Sequence, residues 1–170
     1  MAFEHPMLLT DQPSYTPHIS RLLGMMHYAR ETTLRAARDL NVAQLDYLPH
    51  PSGNSIGMLL AHIAAVEEGY YLGTVASHEV DWETPARALG EAGREALCGR
   101  PLEHYLNELE RVRAQTLDGF LHLDDDWLHV EDTNWEEPAN NYFRWFHVFE
   151  DEVNHRGQIR LLRKLFPEGL

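Results

Sequence analysis

Histidine and aspartate recur at four-residue intervals near the end of the chain. His147, Asp151 and His155 follow one another at this spacing, between Phe143 and Ile159. Residues four apart lie above one another on a helix, so these five side chains form one row with an apolar residue at each end. A carboxylate and an imidazole that are turned partly into a helical core need partners. Either the two groups satisfy each other, or they share a cation.

A histidine also interrupts an apolar pattern earlier in the chain, where His62 shares a helical face with Met58 and Val66. If this face meets the later row, His62, Asp151 and His155 supply two nitrogens and one oxygen. Three protein ligands leave a position open for water or substrate, which is typical of a catalytic metal site. The donor set suits iron, manganese, nickel or zinc better than calcium. The alternative is a hydrogen-bonded core histidine and a helix-stabilising Asp/His contact.

Two neighbours of this set are candidates for proton transfer. Glu150 precedes Asp151 directly and could act as a base or as an alternative ligand, or it flanks the site or faces solvent. His147 lies one turn before Asp151, where it could donate a hydrogen bond to that carboxylate, or it closes the end of the helical core. The sequence therefore gives Glu150 and His147 as candidate catalytic residues, and His62, Asp151 and His155 as candidate metal ligands.

Four long stretches with helical periodicity must position these residues. Their apolar side chains recur at three- and four-residue spacing, and prolines and glycines separate them. The pattern predicts an all-α protein, a four-helix bundle in a single domain over 1–170, with a crossover segment between the second and third helices. The predicted helices are 17–40, 54 or 55 to 76, 101–120 and 138–166. Between them we expect a loop over 46–54, a short helix over 85–97, a solvated acidic turn at 124–126 and an extended segment or hairpin over 127–136.

Composition limits the classes of function. The 170 residues include 27 acidic and 14 basic ones, and the formal charge of −13 argues against nucleic acid and anionic membranes as partners. One cysteine, Cys98, cannot form an internal disulfide or a thiolate cluster, so a metal site must use nitrogen and oxygen ligands. No targeting segment or membrane span is evident. A cytoplasmic protein is expected.

Two strings resemble the DinB-like (YfiT-like) superfamily of metal-dependent enzymes. They are NSIGMLLAHIAAVE over 54–67, and His147-x3-Asp151-x3-His155 followed by Arg-Gly-Gln-Ile. The resemblance implies an up-down-down-up four-helix bundle with a divalent metal, such as zinc, nickel or manganese, held by His62, Asp151 and His155. The position of Asp151 is usually histidine in the superfamily. Because aspartate is shorter, the metal is expected either to be drawn toward the last helix or to be bridged by water, and the alternative is an empty or weak site. The added negative charge reduces the Lewis acidity of a bound metal.

The resemblance also implies a thiol-dependent S-transferase or isomerase. In such enzymes the metal activates a low-molecular-weight thiol, which then attacks a small-molecule substrate, and Glu150 or His147 could accept the proton. A homodimer is expected, and the apolar excess at Met25, Met26 and 143–149 allows it. Two alternatives remain: a metal-dependent hydrolase, and a non-enzymatic, stress-related helical bundle that binds a ligand or partner.

Overall fold

The computed structural model describes residues 7–132 and 137–170, and helices account for most of them, as predicted for an all-α protein. The long helices are α1 (Pro17–Ala36), α3 (Ile56–Thr74), α6 (Leu102–Phe120) and α7 (Asn141–Lys164). The short helices are α2 (Val42–Asp46), α4 (Pro85–Ala88) and α5 (Gly90–Ala96). A 3-10 turn over Asp126–His129 precedes the antiparallel pair β1 (Glu131–Asp132) and β2 (Ala139–Asn140). Among the described residues, no helix is both long and apolar enough to cross a membrane.

Local side-chain chemistry sets the helix starts close to their predicted positions. Ser55 caps α3, because its hydroxyl accepts a hydrogen bond from the Met58 backbone at 3.3 Å. Asn140 caps α7 in the same way through the backbone N–H of Phe143, at 3.0 Å. The loop predicted over 46–54 is confirmed as the connection between α2 and α3.

Three predicted segments differ from the structure, and the first two differences coincide with a positive φ. The first helix ends at Ala36 rather than at 40. Asp39, which follows this end, adopts a left-handed φ of 61°, and α2 begins at Val42. The helix predicted over 85–97 is broken into α4 and α5 by Leu89, with a φ of 58°. Of the extended segment or hairpin predicted over 127–136, the structure shows β1, but its partner β2 lies beyond that range, where the last helix was predicted to begin at 138. Residues 133–136, Trp135 among them, lie outside the described residues.

The core consists of two groups of apolar side chains between the long helices. Helix α1 packs on α7, α7 packs on α3, and α3 packs on α6. One group surrounds Ile63, Leu109 and Ile159, and the other surrounds the fully buried Trp145, whose ring lies 4.5 Å from that of Phe120. This packing places α3 against α7, the two helices that carry the candidate metal ligands.

A network of four charged residues, three of them buried and Arg113 nearly so, also joins the long helices. Arg30 of α1 donates to Glu152 of α7 at 2.9 Å and to Glu67 of α3 at 2.8 Å. Arg113 of α6 donates to Glu67 at 2.8 and 3.1 Å. Burial alone would raise the pKa of Glu67, but the charges of Arg113 and Arg30 outweigh it and lower the pKa to about 2. The carboxylates and guanidinium groups thus compensate one another where single charges could not be buried.

The acidic run at 124–126 was predicted to be a solvated turn, but its middle residue caps a distant helix. The Asp125 carboxylate accepts hydrogen bonds from the Thr16 hydroxyl at 2.5 Å and from the backbone N–H of His18 at 3.0 Å. These groups lie at the start of α1, whose own N-cap residue makes no side-chain capping bond. A carboxylate at this end is also favoured by the helix dipole.

We expect Asp125→Ala to lower the free energy of unfolding by about 1 kcal/mol, the usual effect of losing an N-cap. Urea denaturation monitored by circular dichroism would measure the change. Asp126→Ala is the matched control, because Asp126 is exposed in the same acidic run. Equal stability of the two variants would contradict the capping role of Asp125.

Candidate metal centre

The packing of α3 against α7 brings together the three predicted metal ligands. The Nε2 atom of His155 lies 3.2 Å from Oδ1 of Asp151, and Nε2 of His62 lies 3.7 Å from Oδ2 of the same carboxylate. The two imidazole rings meet edge to face, with centroids 4.9 Å apart. One ligand atom from each residue lies within 4.8 Å of the other two, so all three can converge on one ion.

The surroundings of the Asp151 carboxylate indicate whether these residues suit a cation. Its Oδ2 atom is buried and accepts no hydrogen bond from any residue that the structure describes. A buried carboxylate oxygen without a partner is costly, and a cation is one way to satisfy it. Two imidazole nitrogens and a carboxylate oxygen also form a donor set that divalent transition metals and zinc prefer. The residues present therefore fit a divalent metal ion.

Hydrogen bonds outside the ligand set orient both imidazoles. His62 Nδ1 donates to the backbone carbonyl of Ala86 in α4 at 2.8 Å. His155 Nδ1 bonds the Gln158 side-chain oxygen at 3.1 Å. Because an oxygen acceptor requires hydrogen on Nδ1, the Nε2 lone pair of neutral His62 is left to face Asp151. His155 Nε2 hydrogen-bonds Asp151 when the ring is protonated, and its lone pair faces the carboxylate once that proton is lost. Such partners fix the tautomer and ring orientation of histidine ligands in metal sites.

The two histidines experience opposite electrostatic effects. Burial lowers the pKa of His62, and the Ala86 carbonyl and the Asp151 charge offset this only in part. Burial also acts to lower the pKa of His155, but the hydrogen bond and the charge of Asp151 outweigh it and raise that pKa. His62 is therefore the more readily available neutral nitrogen ligand near neutral pH.

The two candidate proton acceptors lie at the edge of the centre. His147 Nδ1 is 3.2 Å from the Glu150 carboxylate, and these side chains are 41% and 46% exposed. The hydrogen bond of His147 thus runs to Glu150, and its ring lies 6.0 Å from that of Tyr70 and stacks on Phe143. Phe143 is 48% exposed, whereas Ile159 is fully buried. The row of five residues therefore runs from solvent at Phe143 into the core at Ile159, and His147 lies near its outer end.

A cavity of about 550 Å³ is lined by Tyr70 and lies between α3, α7 and the segment that precedes α4. Tyr70 and the 42%-exposed Trp82 supply aromatic walls, and Thr74, His78 and Arg144 supply polar groups. Arg144 forms an ion pair with Asp132. Burial raises the pKa of the Tyr70 phenol well above its ordinary value, so it stays protonated. The sequence predicted no such cavity, because the stretch 69–82 forms it together with Asp132 and Arg144, which are distant in the chain.

The fold and the site together define a class: helical proteins that hold a candidate metal centre between two of their long helices. A family model described as "MST: Mycothiol-S-transferase" matches residues 21–167. The chain belongs to this family, which is of the DinB/YfiT-like type, and the resemblance stated from the sequence is thereby confirmed.

One solved structure extends the comparison of folds. It is described as "Crystal structure of the conserved protein of locus from Enterococcus faecalis" and is similar to this chain with a TM-score of 0.68 and 19% sequence identity. The similarity covers 85% of this chain and 94% of the other. At this level of identity the likeness concerns the fold alone. A comparison with curated proteins gave no match.

Proposed function

We propose that this protein is a divalent-metal-dependent S-transferase that joins a low-molecular-weight thiol to a small electrophile. The observation that carries the proposal is the Asp151 carboxylate: its buried Oδ2 atom lacks a hydrogen bond among the described residues and lies 3.7 Å from His62 Nε2, while its Oδ1 atom lies 3.2 Å from His155 Nε2. Membership of the mycothiol S-transferase family supports the reaction class.

In this proposal, His62, Asp151 and His155 hold the divalent ion, which is zinc, nickel or manganese. A bound divalent ion supplies one piece of chemistry: it lowers the pKa of a coordinated thiol, so that the thiol is deprotonated near neutral pH. The outer hydrogen bonds from His62 and His155 keep both Nε2 atoms turned inward. Asp151 balances part of the positive charge within the buried site.

His147 and Glu150 move the proton that the thiol releases. Glu150 holds Nδ1 of His147, which leaves Nε2 to accept a proton and pass it to solvent at the half-exposed end of the row. The thiolate then forms a bond to the electrophile, whose leaving group departs with the bonding electron pair. The cavity lined by Tyr70 and Trp82 is our candidate for the substrate site, because it combines aromatic walls with polar groups.

The architecture and assembly belong to the same proposal. We infer a single domain over 1–170 in which the four long helices form an up-down-down-up bundle, and a cytoplasmic homodimer. Support for the dimer comes from an apolar groove between α1 and α7, lined by Met25, Phe149 and Val153, and from Phe146 nearby, which is 46% exposed. Met26, which the sequence had grouped with this surface, is fully buried and contributes to the core instead.

An assay with several small thiols, mycothiol included, and a chloro-aromatic electrophile tests the reaction. We expect product formation that requires both thiol and added metal and that Asp151→Ala abolishes. The exposed Asp126 provides the control, since Asp126→Ala keeps the centre intact. Turnover that persists without thiol would identify a metal-dependent hydrolase instead. If no thiol gives turnover above that of Asp151→Ala, the transferase proposal is wrong.

A further inference from the structure

The carbonyl that accepts a hydrogen bond from His62 belongs to a short helix that buries none of its own residues. Ala86 belongs to α4, and none of the four residues described for this helix, Pro85–Ala88, is buried. A four-residue helix is too short to be stable by itself. Other contacts must therefore hold the Ala86 carbonyl 2.8 Å from His62 Nδ1.

Arg87, the next residue, makes those contacts. Its Nε donates to the backbone carbonyl of Ala65 in α3 at 3.1 Å, and its Nη1 donates to the carbonyl of Asp81 at 2.8 Å. Its Nη2 lies 3.4 Å from the Glu68 carboxylate. The Arg87 side chain is 10% exposed. One guanidinium group thus joins α3 to both ends of the segment from Asp81 to Arg87.

The same guanidinium contacts a wall of the cavity. It lies over the Trp82 ring at 5.9 Å from the centroid, and this ring meets that of Tyr70 at 5.4 Å. The approach requires glycine at position 69, since a Cβ there would lie 2.9 Å from Trp82 and 3.1 Å from Arg87 Nε. A continuous series of contacts therefore runs from the cavity through Trp82, Arg87 and Ala86 to His62.

We propose that Arg87 is a positioning residue that links the cavity wall to the metal centre by holding the Ala86 carbonyl against His62. Arg87 keeps hydrogen on Nδ1 of His62 and so keeps the Nε2 lone pair facing Asp151. A ligand that moves Trp82 acts on His62 by the same route. The link to the cavity rests on the proposed function, whereas the effect of Arg87 on the His62 tautomer does not.

Nitrogen NMR of ¹⁵N-histidine-labelled protein without metal tests the proposal. We expect His62 to be protonated on Nδ1 in the wild-type protein and to become a mixture of tautomers in Arg87→Ala. We also expect zinc to bind Arg87→Ala about tenfold more weakly, at the lower end of the effect of removing an outer partner of a metal ligand. Arg87→Lys keeps a cation over Trp82 and should restore part of both properties.

The matched control is Arg111→Ala, because Arg111 binds the same Glu68 carboxylate at 2.8 Å but is 48% exposed and belongs to α6. This variant should keep the wild-type tautomer and zinc affinity. Wild-type behaviour of Arg87→Ala in both measurements would overturn the proposal, as would a wild-type His62 that carries its proton on Nε2. If Arg87→Ala does not fold, Arg87→Lys decides by the same two measurements. Absence of zinc binding by the wild-type protein would overturn the metal centre, while the NMR result would still decide the role of Arg87.

Discussion

Replacing His155 with alanine is expected to weaken binding of zinc by more than about 100-fold, beyond the effect of losing an outer partner of a metal ligand. The variant loses one of three ligands and also leaves Asp151 without the imidazole nitrogen that lies 3.2 Å away. His62→Ala should have an effect of similar size, because it removes the nitrogen that α3 contributes. Zinc competition with a chromophoric chelator measures the affinity, and elemental analysis of untagged protein measures occupancy.

His122→Ala serves as the control for both variants, since His122 is exposed in the turn after α6. It should bind zinc as the wild-type protein does. The assignment of the metal centre fails if His62→Ala and His155→Ala retain the metal content of this control. Loss of metal should also abolish thiol transfer, whereas His122→Ala should remain active.

Replacing Arg30 with methionine is expected to lower the free energy of unfolding by about 3–5 kcal/mol, the usual effect of breaking a buried ion pair. Glu67 would keep its two hydrogen bonds from Arg113, but among the residues that the structure describes Glu152 would keep only the Arg113 nitrogen at 3.7 Å as a charged partner. The backbone carbonyl of Leu109 would also lose the donor that lies 2.7 Å away. For a chain of this length, a destabilisation of this size lowers Tm by about 10 °C, which calorimetry would detect.

Arg35→Met is the matched control on the same helix. Arg35 pairs with Glu31 at 3.1 Å, but its side chain is 58% exposed, and such pairs contribute little. The double variant Arg30→Met/Glu152→Leu should recover part of the stability, because it no longer leaves a buried carboxylate without its cation. A loss in Arg30→Met no larger than that in Arg35→Met would show that the network does not stabilise the fold.

The sequence predicted the features that depend on local periodicity. The apolar spacing located the four long helices to within a few residues, and the four-residue interval placed Asp151 and His155 on one side of the last helix. His62 was recognised because a polar residue at an apolar position needs a reason. The structure then brought these three side chains to the same point between α3 and α7. The prediction that they bind a metal awaits the experiments above.

The features that the sequence missed depend on contacts between distant segments. Arg30 and Arg113 belong to amphipathic helices, where a charged residue ordinarily faces solvent, so only the packing shows that their charges are buried and compensated. The capping of α1 by Asp125 joins residues more than 100 positions apart. The break at Leu89 depends on a left-handed backbone conformation that is uncommon for leucine and that the composition of the segment does not reveal.

The carbonyl partner of His62 has a consequence for mutational scanning. Every amino acid carries a backbone carbonyl, so substitutions at Ala86 that preserve the local backbone leave the hydrogen bond to His62 in place. A saturation scan would therefore record tolerance at 86, although that residue contacts a candidate ligand directly. Sensitivity would appear instead at Arg87, whose side chain holds this segment on α3, and at Gly69, which leaves room for Arg87 and Trp82. In this part of the molecule, the residue that contacts His62 would tolerate substitution, whereas the residues that keep the Ala86 backbone in place would not.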